Sequence, residues 1–158
     1  MTSSEFPHLL VRPCEVADEP ELKQLQERFL SEISLLRGGV ELARTVGSPS
    51  KGTASNVHLV GELDGCIVGY CSISFQSDGA GTVDQIYVEP EARRIGIAEA
   101  MLEAVVELAQ TKGLLDLDAL ALPGAREVKN LLEGLGFKAR LLVLNLPLRS
   151  STAKVSEE

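Results

Sequence analysis

Two spacings of apolar residues alternate along this chain, one of three to four positions and one of two, and their order predicts the elements. Residues 9–12, LLVR, read as a short strand that Pro13 ends by removing a ladder donor. A helix follows over EPELKQLQERFL, with Asp18 as its N-cap, Pro20 in the first turn and Leu22, Leu25, Phe29 and Leu30 facing a core. SEISLLRGGVELARTV continues as a second, looser helix broken at Gly38 and Gly39. GSPSKGTASN, residues 47–56, is almost wholly small and turn-forming residues; it reads as a mobile loop, with a substrate-gating loop as the sharper alternative.

From Val57 the period shortens to two. VHLVGELDGCIVGYCSISF forms two strands joined at Asp64-Gly65, a dipeptide that favours a tight turn with positive φ, and TVDQIYVEP adds a third strand closed by Pro90. Helical spacing returns at Ile95: Ala98, Met101, Leu102, Val105, Leu108 and Ala109 share a stripe, and Lys112-Gly113 ends it. LLDLDALAL is then a strand, PGAREVKNLLEGLGF a helix ending at Gly134 to Gly136, and ARLLVLNLPL a last strand. This order predicts an α+β fold, an α/β sandwich: one domain over residues 1–158, with about six mostly antiparallel strands flanked by about four helices. Residues 1–8 and 149–158 are expected to be flexible tails.

Composition narrows the functional classes. At 158 residues and 44% hydrophobic content the chain suits a single core, and a net charge of −8 argues against a nucleic-acid binder held by phosphate neutralisation. Cys14, Cys66 and Cys71 are odd in number and lack CxxC spacing, so neither a disulfide framework nor a zinc site is expected. Residues 1–8 hold no apolar run and no stretch has the length of a membrane span; the expectation is a cytoplasmic protein with no membrane partner.

One stretch conflicts with ordinary helix chemistry. A helix N-terminus carries unpaired N–H groups and positive partial charge, which an acidic or hydroxyl residue usually answers. Here RRIGIA, residues 93–98, supplies Arg93, Arg94, a bare Gly96 and the small Ala98. Such a set can grip a pyrophosphate, because anions sit at helix N-termini and small residues allow close approach to the backbone. A solvated arginine pair with an incidental glycine fits the same six residues. A dinucleotide fingerprint does not, since it needs G-x-G-x-x-G directly after a strand and a single glycine follows seven loop residues here.

RRIGIA matches the [Gln/Arg]-x-x-Gly-x-[Gly/Ala] motif of the GNAT acetyltransferase superfamily, which the chain resembles over roughly residues 9–146. Other landmarks in the family's order are Arg12, Pro13 and Asp18 of an R-P-x-x-x-x-D segment, Ile86, Val88 and Pro90 of I-x-V-x-P, and Leu135, Gly136 and Phe137 of L-G-F. The resemblance implies acetyl coenzyme A as donor. Its pyrophosphate would lie on N–H groups of Arg94, Ile95, Gly96, Ile97, Ala98 and Glu99, with charge from Arg93 and Arg94. The backbone of Ile86, Tyr87 and Val88 would meet the pantetheine and the thioester, where their strand parts from the next. A primary amine of a small molecule or peptide would attack the thioester directly.

The same resemblance nominates Asp84 as general base and marks two departures. Leu132 stands where many members carry a tyrosine that protonates the leaving thiolate, and Ala125 where they carry an asparagine. Tyr87 is a substitute acid or a sheet-packing aromatic. Arg126, Lys129 and Asn130 are candidate cofactor contacts or solvated helix residues. Leu120 occupies a position where other members place a base. His8 and His58 read as a terminal and a strand-surface residue. The missing tyrosine keeps a second function in view, a module that binds acyl coenzyme A without catalysis. Only one strand fits after L-G-F, so an exposed sheet edge and a homodimer partner covering it are expected.

Overall fold

The computed structural model describes residues 8–46, 55–146 and 148. Strand β1, Leu9–Pro13, leads through a 3-10 turn at Val16–Asp18 into helix α1, Glu19–Ser34, and α2, Gly39–Val46, follows. Strands β2, Ser55–Leu63, β3, Cys66–Phe75, and β4, Ala80–Val88, come next. A 3-10 turn at Pro90–Ala92 then precedes helix α3, Ile97–Thr111, strand β5, Asp116–Ala119, and helix α4, Arg126–Gly134. The five strands form one sheet in sequence order, antiparallel throughout except for the parallel β4–β5 pair.

Period-two alternation puts successive strand residues on opposite faces of this sheet. Leu59, Cys71, Ile73, Phe75, Val83 and Val88 face α3, packing with its Ile97, Met101, Leu102 and Val105 and with Leu132 of α4. Val60, Tyr70 and Tyr87 face the other way, against Leu22, Leu25, Phe29 and Ile33 of α1, with Leu42 and Ala43 of α2 at the margin. The result is three layers, α3 and α4 on one side and α1 and α2 on the other. The β2–β3 hairpin turns at Asp64-Gly65 as expected, both residues having positive φ, 49° and 84°.

Three local expectations change. Asp18 stands at the start of α1, but its carboxylate makes no cap bond there. It accepts from Arg12 Nη1 at 2.6 Å, Arg12 Nη2 at 3.0 Å and the Glu15 N–H at 2.8 Å, and Arg12 also donates to Glu62 at 2.8 Å. A nearby guanidinium is a stronger donor than a helix N–H, so the carboxylate joins β1 to α1 instead. Ser55 and Asn56 open β2, while residues 47–54 of the expected loop lie outside the described residues.

The third change concerns the chain after α4. Residues 138–146 form no strand, so five strands stand in the sheet. Leu141, Leu142, Val143 and Leu144 are 69–85% exposed, and among the described residues β5 keeps one edge unpaired. Strand propensity alone does not make a strand; backbone pairing must accompany it, and among the described residues those from 138 to 146 have none.

Candidate functional site

The opening in the sheet arises on β4. Its pairing with β5 runs from Ala80↔Asp116 to Val83↔Ala119 and closes with Leu120 N–H donating to Val83 O at 3.0 Å. The strand itself continues to Val88, still paired with β3, so the side facing β5 is open from Asp84 onward. The Glu89 N–H donates to Val68 O on β3 at 2.8 Å. By alternation, Val88 and Ile86 turn their backbone groups toward the gap and Tyr87 turns its groups to β3.

A β-bulge marks the start of the gap. Ser72 pairs with Gln85 and Ile73 with Val83, leaving Asp84 as the extra residue. Val83, Ile86 and Val88 belong to the α3-side core, so Asp84 and Gln85 both fall on the α1 side. There Asp84 accepts from the Ser74 hydroxyl, and burial pushes its carboxyl above the ordinary range, opposed by that bond and by His58. Gln85 accepts from the hydroxyl of the buried Tyr70 at 2.5 Å. The sequence held the signal: apolar positions at 83, 86 and 88 break strict alternation, the mark of one inserted residue.

His58 corrects the expectation of a strand-surface residue. It lies opposite Ser72, one residue from Leu59 of the α3-side core, and so faces α1 with Asp84. It is half-buried, which lowers its pKa, and its Nδ1 atom is buried with no hydrogen-bond partner. His8 stands at the β2–β3 turn, its N–H donating to Asp64 at 2.8 Å.

Past Val88 the chain turns toward α3. Arg94 has φ 69° and Gly96, the N-cap residue, φ 92°, with no side chain capping the helix. Two left-handed residues so close together curl the backbone into a turn of the kind that gathers N–H groups around an anion. The first helical bond runs from Ala100 N–H to Gly96 O at 3.0 Å, so the N–H groups of Ile97, Ala98 and Glu99 have no helical acceptor. A Cβ added to Gly96 would meet nothing within 4 Å, so space over this turn is open.

The two arginines separate. Arg93 is drawn inward: its Nε donates to Val88 O at 2.8 Å, its Nη2 to Glu32 on α1 at 2.6 Å, and its guanidinium lies 5.6 Å from the Tyr87 ring centre. It fixes the end of β4 against α1, a role that neither Glu32 nor Tyr87 advertises in sequence. Arg94 is 88% exposed beside the open turn, with only a long 3.7 Å contact to Glu127.

The remaining candidates fall elsewhere. Leu132 is buried in the α3-side core. Ala125 is the N-cap of α4, while Arg126, Lys129 and Asn130 are exposed along it, Lys129 pairing with Glu133 at 3.8 Å. Leu120 contributes its backbone to the last β4–β5 bond. Tyr87 is buried between Tyr70 and Arg93, its hydroxyl 3.5 Å from Glu89, and burial raises its pKa. Tyr87 and Glu89 also line an open groove of about 700 Å³ with Arg28, which is ion-paired to Glu89.

Residues 20–137 match the acetyltransferase (GNAT) family. Among solved structures, an aminoglycoside N-acetyltransferase, AAC(6')-Iy in complex with CoA, superposes with TM-score 0.69 at 17% identity, over 94% of this chain and 100% of that one. A ribosomal-protein-alanine N-acetyltransferase from Brucella melitensis biovar Abortus 2308 gives 0.68 at 21% identity, over 89% and 99% of the two chains. A protein from Clostridium acetobutylicum described as a predicted acetyltransferase, with acetyl-CoA, gives 0.63 at 20% identity, over 89% and 96%. The comparison with curated proteins gave no match.

Proposed function

The chain belongs to the acetyltransferase (GNAT) family, and from that membership we propose that it is an N-acetyltransferase moving the acetyl group of acetyl coenzyme A to a primary amine of a small molecule or peptide. The observation that carries this reading is the conjunction of an uncapped helix start with a strand that has lost its neighbour. Beyond Val83, β4 stands apart from β5, and the gap leads to the α3 N-terminus, where Gly96 leaves open space and Arg94 supplies an exposed charge. This donor set suits a pyrophosphate.

Bound there, acetyl coenzyme A supplies an activated thioester carbonyl. The N–H groups from Arg94 to Glu99 and the Arg94 guanidinium would hold the diphosphate, while Arg93 acts indirectly by fixing Val88. On the side facing β5, the backbone groups of Ile86 and the Val88 N–H would be the donors and acceptor available to orient the pantetheine and polarise the carbonyl. Asp84 faces the α1 side at the mouth of the gap, and its raised pKa suits it to take a proton from the attacking amine. With Leu132 in the core, no family tyrosine protonates the leaving sulfur; a thiol pKa of about 8.5 makes its thiolate an adequate leaving group.

The acceptor is an amine, as with the aminoglycoside and ribosomal-protein enzymes of the same fold. We assign the chain to the cytoplasm, which keeps its three free cysteines reduced. Among the described residues no helix is long and apolar enough to cross a membrane. A homodimer completes the reading: each copy offers both an open β5 edge and an exposed strand-forming run at Leu141–Leu144, the two parts that pair. The test is an amine panel with detection of free thiol. Steady turnover that falls at least tenfold in Asp84→Asn supports the enzyme; binding of acetyl coenzyme A without turnover on any amine would make it a non-catalytic module.

A further inference from the structure

His58 is a titratable group that the reading above leaves without a task. It stands on β2 opposite Ser72, and β3 lies between it and Asp84 on β4. Ser74, also on the α1 side of β3, donates its hydroxyl to Asp84. Two strand spacings, about 10 Å, separate the β2 and β4 backbones, and the two side chains lie on the same face of the sheet. His58, Ser74 and Asp84 thus share one sheet face with Ser72 and Gln85, beside the apolar Val60, Tyr70 and Tyr87.

Packing alone gives no reason for a histidine here. A buried imidazole nitrogen without a partner is destabilising, and among the described residues Nδ1 of His58 is such an atom. The charge that acts on His58 is that of Asp84, and the charge that acts on Asp84 is that of His58. On its β1 side His58 meets the backbone N–H of Cys14, 2.9 Å from its carbonyl, and burial pushes the Cys14 thiol up so that it stays neutral. Burial lowers the proton affinity of the imidazole and raises that of the carboxyl, and this brings the two together.

We propose that His58 is a positioning residue acting through Asp84: it accepts, by way of one water beside Ser74, the proton that Asp84 takes from the amine. An N–H bond of the amine breaks as an O–H bond forms on Asp84. That O–H then breaks and an N–H forms on the His58 imidazole, leaving an imidazolium beside a restored carboxylate. The proton passes to solvent before the next turnover, so neither group is consumed. This inference rests on Asp84 as the base and adds to it how the base is reset.

The experiment has two arms on the full chain. The protein has two histidines, so their ring protons are resolved by proton NMR titration in wild type and Asp84→Asn. Loss of the carboxylate is expected to move the His58 midpoint to lower pH; an unmoved His58 midpoint overturns the proposal. The kinetic arm compares His58→Gln, His58→Asn, Asp84→Asn and the His58→Gln/Asp84→Asn double variant. Expected are a loss of about tenfold or more in kcat for each His58 variant, acetyl coenzyme A affinity within twofold of wild type, and a double variant no slower than Asp84→Asn. Losses that multiply in the double variant, or His58 variants within twofold of wild type, overturn it. Full activity in Asp84→Asn instead removes the base assignment itself.

Discussion

Replacing Gly96 by alanine separates the conformational role of the helix start from its role in binding. At φ 92° an L-residue carries a strain of about 1–2 kcal/mol, and no further clash arises because an added Cβ meets nothing within 4 Å. A chain of this length loses roughly 2–4 °C in melting temperature per kcal/mol, so a fall of about 2–8 °C is expected. The methyl group would occupy the space where the diphosphate meets the N–H groups. Losing one charge-assisted hydrogen bond costs about 1.5–3 kcal/mol, or about 10–150-fold in affinity. Gly113→Ala is the control: its φ is 71°, a Cβ there also meets nothing, and it lies at the far end of α3. The two variants should melt alike while calorimetry with acetyl coenzyme A finds only Gly96→Ala impaired. Equal affinity in both would refute the placement of the diphosphate.

Other consequences are equally open to measurement. Arg94→Ala should leave the melting temperature unchanged, because an exposed 3.7 Å ion pair is worth about 0–1 kcal/mol, yet weaken acetyl coenzyme A severalfold and flatten the salt dependence of binding; unchanged affinity would remove Arg94 from the site. Asp18 is held at a pKa of about 2 by the Arg12 guanidinium first and the Glu15 N–H second. Its folded pKa is lowered, so its stabilisation is full above the ordinary carboxylate range and lost as pH falls toward 2. Asp18→Asn should therefore melt lower than wild type at pH 7 and converge with it near pH 2, and a gap independent of pH would contradict the ion-pair account. The double substitution Leu142→Lys, Leu144→Lys should convert a dimer, measured by light scattering at micromolar concentration, to a monomer; a wild-type monomer would dispose of the dimer.

Much of the fold was legible in the sequence because its elements are locally determined. The Asp64-Gly65 turn needs positive φ at both residues, and the α3 stripe from Met101 to Ala109 has nowhere to go but a core. The start of α3 at Gly96 without a capping side chain was legible for the same reason, since it is set within six residues. What escaped depends on partners distant in sequence. Arg93 turns to Glu32, 61 residues away, and Asp18 leaves its helix for Arg12 and the Glu62 network. The sequence over residues 139–148 carries strong strand character, but β-pairing requires an edge as well as a propensity, and among the described residues those from 139 to 146 are not paired.

Calorimetric titration of the full chain with acetyl coenzyme A tests the central claim most directly. Saturable one-to-one binding is predicted, and at a concentration 100 times the dissociation constant the ligand should add about 2.7 kcal/mol of stability, or roughly 5–11 °C in melting temperature. No binding heat together with no thermal shift at millimolar acetyl coenzyme A would contradict the reading of the α3 N-terminus as the donor site.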